Sequence, residues 1–127
     1  MQDTHLFEYA VIRVVPRVDR EEFLNVGVIL YCPPLRYLDL ICTRDYSKLL
    51  ALDPTIDVGE LEKHLDAFGA ITRGEAAAGP IGRMDIAGRF RWLTATRSTV
   101  LQTSKVHPGL CGDPRVTIVK LFEDLVL

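Results

Sequence analysis

Residues 6–15, LFEYAVIRVV, admit few architectures. Branched and aromatic side chains dominate, so the stretch reads as a strand. In a strand Phe7, Tyr9 and Val11 share one face, while Ala10, Ile12 and Val14 share the other. Both faces are mostly apolar, which places the strand inside a sheet rather than at its edge. Arg13 is the exception. An unpaired charge on an apolar face is costly, so this arginine needs a partner. Pro16 ends the strand.

The neighbouring pieces supply the sheet. Residues 24–32, LNVGVILYC, read as a second strand, in which Gly27 marks a bulge or a close backbone approach. PPLR turns the chain. Residues 36–43, RYLDLICT, alternate Leu38, Leu40 and Cys42 against Tyr37, Asp39 and Ile41. These two strands make an antiparallel hairpin. Between the first two strands, DREE (Asp19 to Glu22) has capping-box spacing and predicts a turn of helix.

Helices follow. A short one around Tyr46, Leu49 and Leu50 stops before Pro54. Asp57 and Glu60 repeat the capping-box spacing, and Val58, Leu61, Leu65, Phe68 and Ile71 continue at helical period. RGEAAAGPIGR (73–83) predicts a small-residue loop. Residues 85–93 fit a helix with Ile86, Phe90 and Leu93 inward and Arg91 outward, or a strand with Phe90 and Trp92 opposite Arg89 and Arg91; the helix is the favoured reading, followed by a turn near Thr96 and a strand over 98–104. Asp113 is placed to cap a last helix and Pro114 to open it. Ile118, Leu121, Phe122, Leu125 and Val126 form its apolar stripe. The expected fold is one α+β domain over residues 1–127, a mainly antiparallel sheet with helices packed largely on one face.

Several chemistries lack their residues. No apolar run approaches the roughly 20 residues that cross a bilayer. The N-terminus has neither the basic start nor the cleavage site of a signal peptide, so a cytoplasmic protein without membrane contact is expected. Cys32, Cys42 and Cys111 form no CxxC pair and read as free thiols. GPIGR lacks the lysine and hydroxyl of a phosphate-binding loop, and no GxGxxG follows a strand. His5, His64 and His107 are too widely spaced for HExxH or HxH. No catalytic residue, metal or cofactor is therefore assigned. HPGLCGD brings His107, Cys111 and Asp113 close in sequence, but its proline and glycines read as a turn between a strand and the last helix.

One stretch departs from the rest. The chain carries a formal charge of -2, yet residues 88–110, GRFRWLTATRSTVLQTSKVHPGL, contain no carboxylate. Arg83, Arg89, Arg91, Arg97 and Lys105 stand against Asp85 alone between residues 80 and 112. Guanidinium groups grip phosphate or carboxylate with paired hydrogen bonds. Thr94, Thr96, Ser98 and Thr99 would add donors, and Trp92 could stack on a base or a guanidinium. The competing reading is internal: Phe90 and Trp92 belong to the core, and the arginines pair with acids of the same domain.

The strings YAVIRVVPRVDREEFLNVGVILYCP, LLALDP, GPIGR and RFRWLTATRSTVLQTSKVHPGL also carry a resemblance. Together they resemble a bacterial family catalogued as a domain of unknown function, number three thousand and thirty-seven. The resemblance brings no activity, cofactor or catalytic residue. It implies a context, since family members are often encoded beside a kinase similar to the HipA toxins. Asn25, Gly27, Arg83, Arg91, Trp92, Arg97, Ser98 and His107 fall in the family's recurrent strings; Asn25 and Gly27 are read as structural. The family commonly carries proline where this chain has Thr96, which implies a less rigid turn before Arg97.

The leading expectation is a small accessory or binding protein rather than an enzyme. It would contact an acidic protein partner, the HipA-like kinase first, through the segment from Arg83 to His107, with Arg89, Arg91, Trp92, Arg97 and Ser98 at the interface. One alternative is a nucleic-acid or nucleotide phosphate binder. Another is an enzyme on a small anionic substrate with His107 as acid or base. An exposed edge strand would also let two copies pair into a homodimer.

Overall fold

The structure, a computed structural model, describes residues 4–95 and 99–127. Strand β1 (His5–Val14) is central, as its two apolar faces require. Strand β2 (Leu24–Cys32) lies antiparallel along one edge of β1, and β3 (Tyr37–Cys42) pairs antiparallel with β2. The other edge of β1 is shared. Strand β5 (His107–Cys111) pairs with residues 5–9, and β4 (Leu101–Thr103) with residues 12–14. Ser104 joins the two: its N–H donates to the Val11 carbonyl at 2.8 Å, and its hydroxyl accepts the Val11 N–H at 2.8 Å. The side chain thus replaces a ladder bond at the break.

Helices α1 (Ser47–Leu52), α2 (Val58–Arg73), α3 (Gly79–Gly82) and α4 (Ile86–Leu93) gather on one side of the sheet. There Ala10, Ile12 and Val14 of β1 and Ile29 and Tyr31 of β2 pack on Leu65, Phe68, Phe90 and Leu93. Helix α5 (Pro114–Leu125) covers the opposite face, where Ile118 meets Phe7, Val28, Leu30 and Cys32. Among the described residues the helices therefore lie largely on one face, with the last helix alone on the other. Two caps read from sequence are made, Asp57 accepting the Glu60 N–H at 3.0 Å and Asp113 the Arg115 N–H at 3.0 Å, and Asp85, not read as a cap, accepts the Gly88 N–H at 2.8 Å. Each is worth about 1 kcal/mol.

Four local expectations change. The capping-box helix at Asp19–Glu22 is only a 3₁₀ turn, Val18–Arg20, closed by Glu21 at φ 56°. The chain must reverse there between two antiparallel strands, which leaves no length for a helix. The 73–83 loop holds a 3₁₀ turn, Ala76–Ala78, and then α3. Of the strand expected over 98–104, the described part is regular only at Leu101–Thr103, and the turn expected near Thr96 lies outside the described residues. The turn expected at HPGLC is instead β5. Gly109 permits it: a Cβ there would stand 2.5 Å from the Phe7 ring. That ring fills the space a side chain would need, and proline is tolerated because β5 is an edge strand.

Gly27 answers the alternative set by sequence with both halves. The β1–β2 register slips between Ile12 and Arg13, which marks a bulge, and a Cβ on Gly27 would lie 2.6 Å from Cys42 Sγ. Both free edges are poor templates for another strand. Pro108 interrupts the donors of β5, and at β3 the Leu40 N–H goes to the Asp39 carboxylate at 2.8 Å. Pairing of two copies through an edge meets these obstacles.

Candidate functional site

Helix α4 presents the residues singled out by charge. Phe90 and Leu93 are buried, and their inward position sends Arg91 to one flank and Arg89 and Trp92 to the other. Arg91 meets Glu8 of β1 in a forked ion pair, with Nη1 donating at 2.8 Å and Nη2 at 3.2 Å. This carboxylate accounts for the upward shift of the Arg91 guanidinium. Arg89 donates from Nη1 to the Met84 carbonyl at 2.7 Å and packs against Gly74, the residue that ends α2. It ties the end of α2 to the turn before α4. Its Nε is buried and unpartnered.

The expected cluster of solvent-facing guanidinium groups is therefore not formed by Arg89 and Arg91, each of which is engaged by its own fold. Arg83 is exposed at the end of α3 and makes no ion pair among the described residues. Arg97 and Ser98 lie outside the described residues. His107 sits on the other face of the sheet. It stacks on Tyr9, ring centroids 5.4 Å apart, and Tyr9 packs on the α5 side, whereas Glu8 and Arg91 are on the side of α4. Among the described residues of the segment, Arg91 and His107 thus lie on opposite faces of the sheet and do not share a surface.

The remaining assignments are structural. Asn25 Nδ2 donates to the Leu125 carbonyl at 3.0 Å and so closes the C-terminal end of α5 against β2. Arg13 finds its partner in an aromatic ring, with its guanidinium carbon 4.2 Å from the Phe23 centroid. Arg13 Nε and Asn25 Oδ1 are both buried without a hydrogen-bond partner, on residues that face each other across the bulge. The three cysteines are free thiols. Burial pushes Cys42 up to about 12, and burial, then the neighbouring Cys32, raises Cys111. Cys42 and Cys111 therefore stay protonated near neutrality. Among the described residues no three His, Cys, Asp or Glu side chains come together as a metal site would require. No helix among them is long and apolar enough to cross a membrane.

The feature that sequence reasoning missed is a groove between α2 and β4. Its wider part, about 520 Å³, is lined by His64, Ala67, Phe68 and Ile71 of α2, Trp92 of α4, and Thr99, Val100 and Leu101. It continues past His64, Val100 and Leu101 into a part of about 240 Å³ that reaches Ile56, Leu61 and the α1–α2 connection. Together these reach the size range of ligand sites. Trp92 keeps 36% of its surface exposed and Val100 45%. One signal was legible: in an alternating strand Val100 and Leu101 cannot both face the core, and Leu101 is the one that does.

A family model described as a protein of unknown function (DUF3037) matches residues 9–126. No curated protein and no solved structure matches the chain.

Proposed function

The chain belongs to the DUF3037 family of proteins of unknown function, and we propose that its role is to bind another protein, by docking a segment of that partner in the groove between α2 and β4. One observation carries this reading: a long, mostly apolar trough, walled by the exposed faces of Trp92 and Val100. Apolar concavities of this kind draw their affinity from desolvation, and a partly exposed tryptophan is a frequent anchor. The arginines support an acidic-partner surface less well, since Arg91 is matched to Glu8 and Arg89 to a main-chain carbonyl.

A HipA-like kinase, the partner that the family resemblance implies, is the first to test. The two are coexpressed and the complex is captured through a tag on the kinase. Retention of the native chain, lost on Val100→Asp and kept on Arg83→Glu, supports the groove. Loss on Arg83→Glu with Val100→Asp unaffected moves the interface to the basic surface and ends this reading.

A further inference from the structure

The groove has ends of different character. Towards Trp92 its lining is apolar, while towards the α1–α2 connection it meets Asp53, Asp57 and Glu60. Two of these carboxylates are held by neutral donors. Asp53 accepts the Thr55 N–H at 2.9 Å and the Thr55 hydroxyl at 2.6 Å, and Asp57 accepts the Glu60 N–H. Such bonds orient a carboxylate without bringing an opposite charge to it. Glu60 has only loose partners on its own helix, Lys63 at 3.9 Å and His64 at 3.6 Å. Of the nearby arginines, Arg44 is committed to Asp66 at 2.9 Å, and Arg17 pairs with Asp19 at 3.2 Å while also acting on Asp53 through space. Among the described residues, no lysine or arginine lines either part of the groove.

Resting on the reading of this groove as a protein-docking site, we propose that its occupant is a segment of a partner chain that is apolar along the α2–β4 trough and carries lysine or arginine where it passes Asp53, Asp57 and Glu60. A basic group there gains three carboxylates within reach. An acidic one would be brought close to like charges before salt could screen them, since screening acts over about 8 Å. The charge preference is the reverse of the one expected from the arginine-rich stretch. That stretch spends Arg89 and Arg91 internally, whereas the acids at this end of the groove remain open to solvent.

The test uses the whole chain as the bait for a random dodecapeptide display library, followed by fluorescence anisotropy on the enriched peptides. Three baits are compared: the native chain, a variant with Asp53→Asn, Asp57→Asn and Glu60→Gln, and Val100→Asp. The neutral substitutions keep a side-chain oxygen at each position, so the turn and the helix cap survive. Enriched peptides that combine apolar residues with Lys or Arg, and bind the neutralised variant about tenfold more weakly, support the proposal. Peptides that depend on Val100 but are acidic, uncharged or indifferent to the neutralisation overturn the charge inference and leave the groove standing. Peptides indifferent to Val100→Asp, or no enrichment over bare support, overturn both.

Discussion

The ion pair between Arg91 and Glu8 decides whether this arginine serves the fold or an outside partner, and a double-mutant cycle measures it. The variants are Arg91→Gln, Glu8→Gln and the two together. The pair is forked, at 2.8 and 3.2 Å, which is the strong geometry for guanidinium and carboxylate. Its setting is mixed, because the Arg91 side chain is 60% exposed and that of Glu8 only 23%. Solvent screening on the arginine side keeps the coupling within the range of exposed pairs, and the sheltered carboxylate places it towards the upper end, about 0.5–1 kcal/mol. Urea unfolding near neutral pH reads this directly, provided m is unchanged across the four proteins. The coupling should shrink in molar salt, where screening acts over about 3 Å. A coupling indistinguishable from zero at low salt would refute the reasoning: Arg91 would then be free to meet another molecule, and the acidic-partner surface would regain its main residue.

Three further outcomes follow from the packing and the titrating groups. Phe90→Ala empties a fully buried site against Tyr31 and should cost about 3–5 kcal/mol, seen as a fall in the urea midpoint or loss of the cooperative transition. Asp57→Ala removes the α2 cap and should cost about 1 kcal/mol in the same assay, whereas Asp57→Asn should be close to neutral. The Cys42 thiol, raised by burial from 9.0 to about 12, links stability to pH. Below its ordinary value the folded and unfolded chains hold the same proton. Above it the unfolded chain releases the proton first, so this contribution declines as pH rises towards 12, at no more than about 1.4 kcal/mol per pH unit. Urea midpoints between pH 8 and pH 10 should therefore fall less steeply for Cys42→Ala than for the native chain, and equal slopes would contradict the assigned burial effect.

The elements that were legible in sequence are those whose signals are local. Capping at Asp57 and Asp113 was readable because a cap needs only the next few residues. The two-faced strand at residues 5–14 was readable because side chains alternate along any strand. The β5 strand was not, because its proline and glycine are ordinary turn residues until the Phe7 ring arrives over Gly109 from another strand. The capping-box spacing at Asp19–Glu22 misled for a related reason: spacing is a local signal, and the reversal between β1 and β2 overrode it. Part of the candidate site was legible as Trp92. Its other wall was not, because the α2 residues that line the groove share the helical periodicity of a core stripe.

What the amino-acid order determined by itself is most of the helices and strands, with β5 and α3 the exceptions, together with the imbalance of charge along the chain. Periodicity, branching and capping act over a few residues and need no distant neighbour. What only the tertiary structure decided is what that charge does. Glu8 and Arg91 are 83 positions apart, and their pairing depends on the register that sets α4 over β1. The same packing sends His107 to the far face of the sheet and opens the groove beside Val100. Electrostatic and apolar contacts act through space, so which charges are already satisfied, and which apolar surface stays uncovered, became readable only once the layers were stacked.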